Sequence, residues 1–388
     1  MNPATEATPK EVAAIKKLRK RIQDILPAFQ DDFYRHDMNL LRFLRARECN
    51  VKRAEEMMRK NHQHRLKYDC DNILKHKFPG EMEIDYPLII SGRDKAGYLV
   101  GVVKVGEWDV RSRMESGQRD LFLQLAMRHF ESAANLCRHI STKDKYYFQM
   151  YGIVDCQGFQ FRQVASKEVI DTALELVRIF EANCPEYIRA VVVINVPKIF
   201  EILWHVVKPL LTKRTLAKIS FYGSNKDKYK TQFLEDIDAD NLPSEYGGAI
   251  TTCRGYRSVY DLDAFPHFKT YSEDEMIQEE IEAGQDFTVE VDAERGNQIC
   301  WNFKTFDYDI GFSVNFQGNE GDESIVKNCR VDSHIHVQKG MITCEKQGHY
   351  ILTFDNTFSK FNPKTLEYVV KILASDQELA ITGNHCLK

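Results

Sequence analysis

Tyr98-Leu99-Val100-Gly101-Val102-Val103-Lys104-Val105 and Ala190-Val191-Val192-Val193-Ile194-Asn195-Val196 are short runs rich in β-branched residues. Tyr147 to Val154 and Ile219 to Tyr222 are of the same kind, and helical stretches fill the gaps between them. Strand alternating with helix over about 150 residues predicts a mainly parallel sheet with right-handed crossovers, an α/β domain over residues 76–248.

Working outward, residues 1–75 carry helical periodicity. Val12, Ile15, Leu18, Ile22 and Ile25 recur at three and four, with Thr8 as N-cap, Pro9 at the first helical position, Glu11 three residues after the cap, and Pro27 closing. A second helix is predicted from the cap Asp37 through Leu40, Leu41, Phe43 and Leu44. A third runs from Asn50 through Val51, Ala54, Met57, Met58 and Leu66. On the other side, a polar acidic connector over 249–275 leads into strict alternation: Phe287, Val289, Val291; Ile299, Trp301, Phe303; Ile310, Phe312, Val314, Phe316; Tyr350, Leu352, Phe354; and Tyr368, Val370, Ile372. Residues 276–388 therefore read as an antiparallel β-sandwich.

The 388 residues, 43% hydrophobic and 28% charged, have the balance of a folded soluble protein of two or three units. The first ten residues lack a signal peptide's apolar core and no run is long enough to span a bilayer, so a cytoplasmic protein is expected. The ten cysteines sit singly, as reduced, mostly buried thiols do. The net charge of −4 is polarised: residues 1–69 hold sixteen Lys/Arg against ten Asp/Glu, and 270–300 hold one against ten. A basic front end suits either an anionic membrane surface or a solvated helical face.

Ile199 to Leu211 carries most of the functional information. Lys198, Glu201, His205 and Lys208 form one narrow polar stripe, and the rest of the circumference is Ile199, Phe200, Ile202, Leu203, Trp204, Val206, Val207 and Leu210. Such a helix is expected to avoid water, either as an ordinary core helix or as the cover of something apolar. Pro209 and the cations Lys213, Arg214 and Lys218 favour a movable gate over residues 198–214 at a membrane surface.

Enzyme signatures are missing. There is no phosphate loop, dinucleotide turn, nucleophile elbow or zinc helix pair. Asp155 and Cys156 sit at a strand end without a positioned base, which suits a buried small residue better than a nucleophile. His334 and His336 read as one solvated face of a strand, and His62 and His64 point different ways on a helix; no metal is predicted.

Three motifs carry a family resemblance. Leu41-Arg42-Phe43-Leu44-Arg45-Ala46-Arg47, Leu242-Pro243-Ser244-Glu245-Tyr246-Gly247-Gly248 and Gly348-His349-Tyr350-Ile351-Leu352-Thr353-Phe354-Asp355-Asn356, in this order, resemble the CRAL-TRIO lipid-binding family, in its phosphatidylinositol-transfer-like branch with a C-terminal GOLD domain. The resemblance implies a CRAL-TRIO α/β bowl behind a small helical unit, and one enclosed hydrophobic ligand as cargo in place of a cofactor. It also implies a gate helix at the segment already singled out. Family headgroup residues match at Arg47, Asp94, Glu186, Thr215 and Lys218, where Arg47 and Lys218 would meet phosphate, Glu186 would fix Lys218 or an inositol hydroxyl, and Thr215 would donate a hydrogen bond. The basic residue that often follows the preface arginine is Glu48 here, and Met150 and Gly152 replace the strand hydroxyls used for a choline phospholipid. A more apolar bowl suits tocopherol, squalene or a retinoid. Tyr151, Ile153, Phe180, Phe200, Trp204 and Val207 are the expected walls. The expected partners are the lipid, a transient membrane surface and a protein at the GOLD domain, with no nucleic acid; an adaptor regulated by its lipid is the alternative reading.

Overall fold

The computed structural model describes residues 7–29, 31–79, 82, 85–142, 145–251, 271–318 and 321–373. Most of the predicted connector and the chain beyond 373 lie outside them. Two compact units divide the chain, one made of the residues up to Ile90 with Tyr98–Asn225, the other of Ser91–Gly97 with the residues from Lys226 onward.

The first unit opens with the helix Pro9–Arg21, and its start is the predicted one. Glu11 N–H donates to Thr8 Oγ1 and Thr8 N–H donates back to Glu11 Oε2, closing a capping box. The inward stripe is Ala14, Ile15, Leu18 and Ile22, buried against Leu40, Phe43, Leu44 and Met58. Val12 was expected inward and is exposed. The half-turn it would have shared belongs to Glu11, whose carboxylate is held by Arg45 at 2.8 Å, both side chains nearly out of water. The next long helix, Asp37–Arg45, is capped by His36 rather than Asp37: His36 ends the short helix Asp32–Arg35, and its Nδ1 accepts Met38 N–H at 3.2 Å. Asn50 caps Val51–Lys67 as expected, and Leu66, expected inward, is exposed near that helix's last turn.

Strands β1 (Ile89–Arg93), β2 (Leu99–Val103), β3 (Met150–Asp155), β4 (Ile188–Ile194) and β5 (Ile219–Phe221) form one sheet in sequence order. β2 to β5 are parallel, joined by crossovers that contain the helices Arg119–His139, Lys167–Asn183 and Phe200–Val207. All four predicted runs are strands, and β1 is an addition. Register places Gly101, Gly152 and Val191 side by side, then Val103, Val154, Val193 and Phe221, so these residues share one face of the sheet.

Among the described residues of the second unit, eight strands make two antiparallel sheets: β10-β9-β12-β7 and β11-β8-β13-β6. Their ranges are β6 Ile277–Ile281, β7 Asp286–Ala293, β8 Gln298–Thr305, β9 Ile310–Gln317, β10 Glu323–Val331, β11 Gln338–Thr343, β12 Gly348–Asp355 and β13 Lys364–Leu373. Every predicted alternating segment is a strand. Their inward residues form one core in which the Phe303 ring lies 4.7 Å from Phe312 and 5.0 Å from Phe354, ring to ring across the two sheets. His334 and His336, read as a strand face, lie instead in the turn between β10 and β11. There Asp332 O accepts the N–H groups of Ile335 and His336.

This unit also holds the helix Lys226–Asp236 and the Leu242–Gly248 motif. Gly247 sits at φ +95°, and a Cβ on Gly248 would meet Leu242 O at 1.9 Å, so both glycines are required by the backbone's shape. Beyond them Lys339 N–H on β11 donates to Ala249 O, and buried Trp301 Nε1–H donates to Thr251 Oγ1 at 2.6 Å.

Arg45 and the capping bonds hold the Glu11 carboxyl down at about 2. A depressed carboxyl contributes stability that is full above its unfolded value and lost as pH falls through the folded one. Glu11→Gln is therefore expected to cost about 1–2 kcal/mol at neutral pH, a cost that shrinks as pH falls below the usual carboxylate range and is mostly gone by about pH 2. Urea unfolding of both proteins across that range checks it.

Candidate functional site

The motif Leu41–Arg47 is built so that each arginine has a different surrounding. Leu41, Phe43 and Leu44 are buried in the helical core. Arg42, also buried, donates from Nε to Pro185 O at 3.0 Å and lays its guanidinium 4.0 Å above the Tyr187 ring. Arg45 is committed to Glu11. Arg47 lies past the helix end with NH1 on Ala46 O at 2.9 Å, and it has no carboxylate partner among the described residues.

Arg47 opens onto a small pocket lined also by Phe180, Glu181, Glu186, Arg214, Thr215 and Lys218. Glu186 is the pivot of this pocket. It is held at φ +60° and its side chain is only 9% exposed. Its Oε1 accepts from Arg214 Nε at 2.7 Å and its Oε2 from Lys218 Nζ at 3.2 Å. Burial pushes this carboxyl up, but Lys218 and then Arg214 outweigh it, and it stays below its ordinary range. Lys218 Nζ is steered by Ile188 O at 2.6 Å, and Thr215 exchanges a hydroxyl contact of 2.9 Å with Thr212.

Four of the five headgroup residues expected from the sequence thus meet in one place. Asp94 does not line this pocket: it is buried in the turn between β1 and β2, bridged to Ile237 and accepting Ala96 N–H at 3.0 Å. Arg214 and Glu181 are additions. Arg214 was visible only as one of several cations after the apolar helix. Glu181, whose Oε1 is buried without a hydrogen-bond partner, gave no signal because nothing in a helix sequence shows which turn faces a neighbouring loop. Three cations, Arg47, Arg214 and Lys218, therefore face two carboxylates.

Beside this pocket is an apolar layer. The predicted helix spans Phe200–Val207, and Pro209 falls in a final tight turn, Lys208–Leu210. Trp204 lies 4.7 Å and Phe200 6.2 Å, ring to ring, from Phe221 on β5. The expectation that this helix avoids water fails. None of its residues is fully buried, Ile202 and Val206 are exposed, and Phe200, Trp204 and Val207 are only half-buried. The neighbouring helix Lys167–Asn183 buries only Thr172 completely; Leu174, Val177 and Phe180 stay half-buried, the last 5.4 Å from the Phe130 ring. Tyr151 and Ile153, expected in this wall, are 2% and 0% exposed and occupy the other face of β3. The residues on the Phe221 face are Gly152 and Val154, which are half-buried like Met150. A one-residue alternation error moves a side chain across the sheet.

At the end of β3, Asp155 Oδ1 accepts Gln157 N–H and Asn195 Nδ2–H, each at 2.8 Å, and is used to shape the turn. Cys156 is 1% exposed, and burial, with the Asp155 charge, pushes its thiol up to about 12. Neither is set up as a nucleophile or base.

Residues 84–248 match the CRAL/TRIO domain family, and residues 14–60 match the CRAL/TRIO, N-terminal domain family. The phosphatidylinositol/phosphatidylcholine transfer protein SFH7 of Arabidopsis thaliana is 30% identical over 239 residues, 59% of this chain and 42% of that protein. Protein real-time of Anopheles gambiae is 27% identical over 248 residues, 63% of this chain and 36% of that protein. The chain thus spans about two fifths of the length of these curated relatives. The crystal structure of Sfh5 superposes with a TM-score of 0.51 at 16% identity, over 63% of this chain and 88% of that one, a likeness of fold.

The inert reading of the strand end has a direct check. Iodoacetamide at pH 8 should leave Cys156 unmodified in the native protein and alkylate it fully in urea, as peptide mapping would show; fast native labelling would reopen a nucleophilic role.

Proposed function

Because the chain carries a CRAL/TRIO domain behind its N-terminal helical domain, we propose that it is a carrier that encloses one hydrophobic lipid and exchanges it at membranes. The observation that supports this most directly is the half-wet apolar layer. A helix with the sequence Phe-Glu-Ile-Leu-Trp-His-Val-Val at 200–207 that fully buries none of its residues leaves apolar surface uncovered, which a lipid or a bilayer would cover. A lipid supplies about 0.8 kcal/mol for each CH₂ removed from water, on the order of 10 kcal/mol for one chain. Residues 198–214 act as the gate in this reading: the helix exchanges contacts with cargo for contacts with bilayer, and Lys213 and Arg214 meet anionic headgroups.

The cationic pocket at the gate's far end takes a phosphoinositide headgroup, with Arg47 and Lys218 on phosphate, Thr215 donating, and Glu186 ordering Lys218 and Arg214 between ligands. Asp94 stays outside this role. Gly152 and Met150 leave the strand side without hydroxyls, which favours a neutral isoprenoid such as tocopherol, squalene or a retinoid as a second cargo. The sandwich is the GOLD domain of this reading, in the manner of supernatant protein factor and tocopherol-associated protein, and the protein works in the cytoplasm as a non-enzymatic carrier.

Native mass spectrometry of the protein purified from its own source, with solvent extraction, should show one lipid per chain. An empty protein that also refuses lipid from vesicles would defeat the carrier reading. Two substitutions separate its parts. A Cβ on Gly152 meets Val191 Cγ2 at 3.4 Å and Ala190 O at 3.9 Å, both ordinary contacts, so Gly152→Leu should fold and displace cargo of either class. Lys218→Ala should weaken phosphatidylinositol uptake about tenfold or more and spare a neutral lipid. Equal loss of both lipids would remove the headgroup assignment.

A further inference from the structure

The second unit exposes its large apolar side chains very unevenly. Among its described residues eight are exposed, and six of them, Phe306, Tyr308, Ile335, Val337, Phe358 and Phe361, belong to three loops at one end of the sandwich. The ladders fix that end: Thr305 stands opposite Leu366, Asp355 opposite Gly311, and Val331 opposite Ile310, which brings residues 306–309, 332–337 and 356–363 together. Phe361 is the extreme case at 87% exposed.

These rings do not project because their loops are loose. Buried Asn356 places its Nδ2 at 3.2, 3.1 and 3.0 Å from the carbonyls of Ile281, Glu282 and Asn362. Ser359 Oγ–H donates to Asn362 O at 3.0 Å and accepts Asn362 N–H at 3.2 Å. The turn that carries Phe361 is therefore pinned on both sides of the ring, and the ring is held outward.

Cations are interleaved with the aromatics. The Arg330 guanidinium lies 4.0 Å and the Lys364 ammonium 4.7 Å from the Phe358 ring, and Lys304 lies 5.4 Å from Phe306. Residues 356–364 hold Lys360 and Lys364 and no acid, while the two neighbouring loops hold Asp307, Asp309 and Asp332. Lys364 is buried against Asp309, which also pairs with Arg330 at 2.6 Å, and Asp332 is held by Lys230, so the exposed cation among the rings with no ion pair among the described residues is Lys360. Projecting rings with cations beside them suit the headgroup level of a bilayer, where rings enter the acyl boundary and ammonium groups stay with phosphate.

We propose that this end of the sandwich is a membrane-docking tip: Phe361 and Phe306 enter the interface of an anionic bilayer, and Lys360 meets its headgroups. The proposal rests on the sandwich alone and stands or falls separately from the lipid site.

The test uses the full chain and vesicles of phosphatidylcholine with about one fifth phosphatidylserine. In a chain carrying Phe361→Trp and Trp204→Phe, so that the gate helix gives no signal, the new indole should shift to the blue on vesicle addition and be quenched by brominated lipid. Phe306→Ser with Phe361→Ser should reduce sedimentation with vesicles about tenfold or more, and Ile372→Ser, at the other end of the sandwich, should not change it. Thermal melts of the variants establish that each is folded. An indole at 361 that stays water-exposed on vesicles, or undiminished sedimentation of the folded double-serine variant, overturns the proposal. So does selective loss of a protein partner with unchanged vesicle binding.

Discussion

A buried guanidinium organises the candidate site. Arg42 has left water, and what holds it is the face of Tyr187 and the carbonyl of Pro185, with no carboxylate paired to it among the described residues. An uncompensated buried cation is costly, so its two acceptors must stay where they are. That requirement fixes the turn Cys184–Tyr187 against the helical N-terminus, and the residue caught inside the turn is Glu186 at positive φ. Glu186 in turn draws in Lys218 and Arg214 from beyond the apolar helix. Three distant pieces of chain, around 42, 186 and 216, are thereby linked by one stacked arginine and one clamped carboxylate.

Regular structure was legible because it is written in short-range patterns. The capping box at Thr8 and Glu11, the β-branched runs at 99, 150, 188 and 219, and the alternations from 287 to 372 all state their conformation within a few residues. The misreadings have one physical origin, which is that direction is decided by partners far along the chain. Val12 and Leu66 fit the helical stripe and yet face water, since Glu11 had an ion-pair partner and Leu66 had nothing above it. Tyr151 and Ile153 were given the wrong side of their strand; an apolar strand covered on both faces carries no mark of which face is which. His334 and His336 fall in a turn despite a strand-like spacing.

The site itself was half legible. Arg47, Glu186, Thr215 and Lys218 converge although up to 171 positions separate them in the sequence, and only the family resemblance made that visible. Arg214 and Glu181 join the pocket only through the fold. Asp94 shows the limit of carrying a motif across: the residue is present and buried, but its carboxylate serves its own turn. The apolar helix was recognised correctly as unusual and its environment was read too dry.

That half-wet layer also has a thermal signature. Apolar surface in contact with water carries excess heat capacity, and a molecule that fills the layer removes it. Titration calorimetry of such filling would give an enthalpy that grows more negative with temperature, and the filled chain would melt later than the empty one by mass action. Without such a molecule the helices Lys167–Asn183 and Phe200–Val207 would be the first to loosen on heating, while the sandwich, whose Trp301, Phe303, Phe312 and Phe354 are fully buried, would keep its structure to higher temperature.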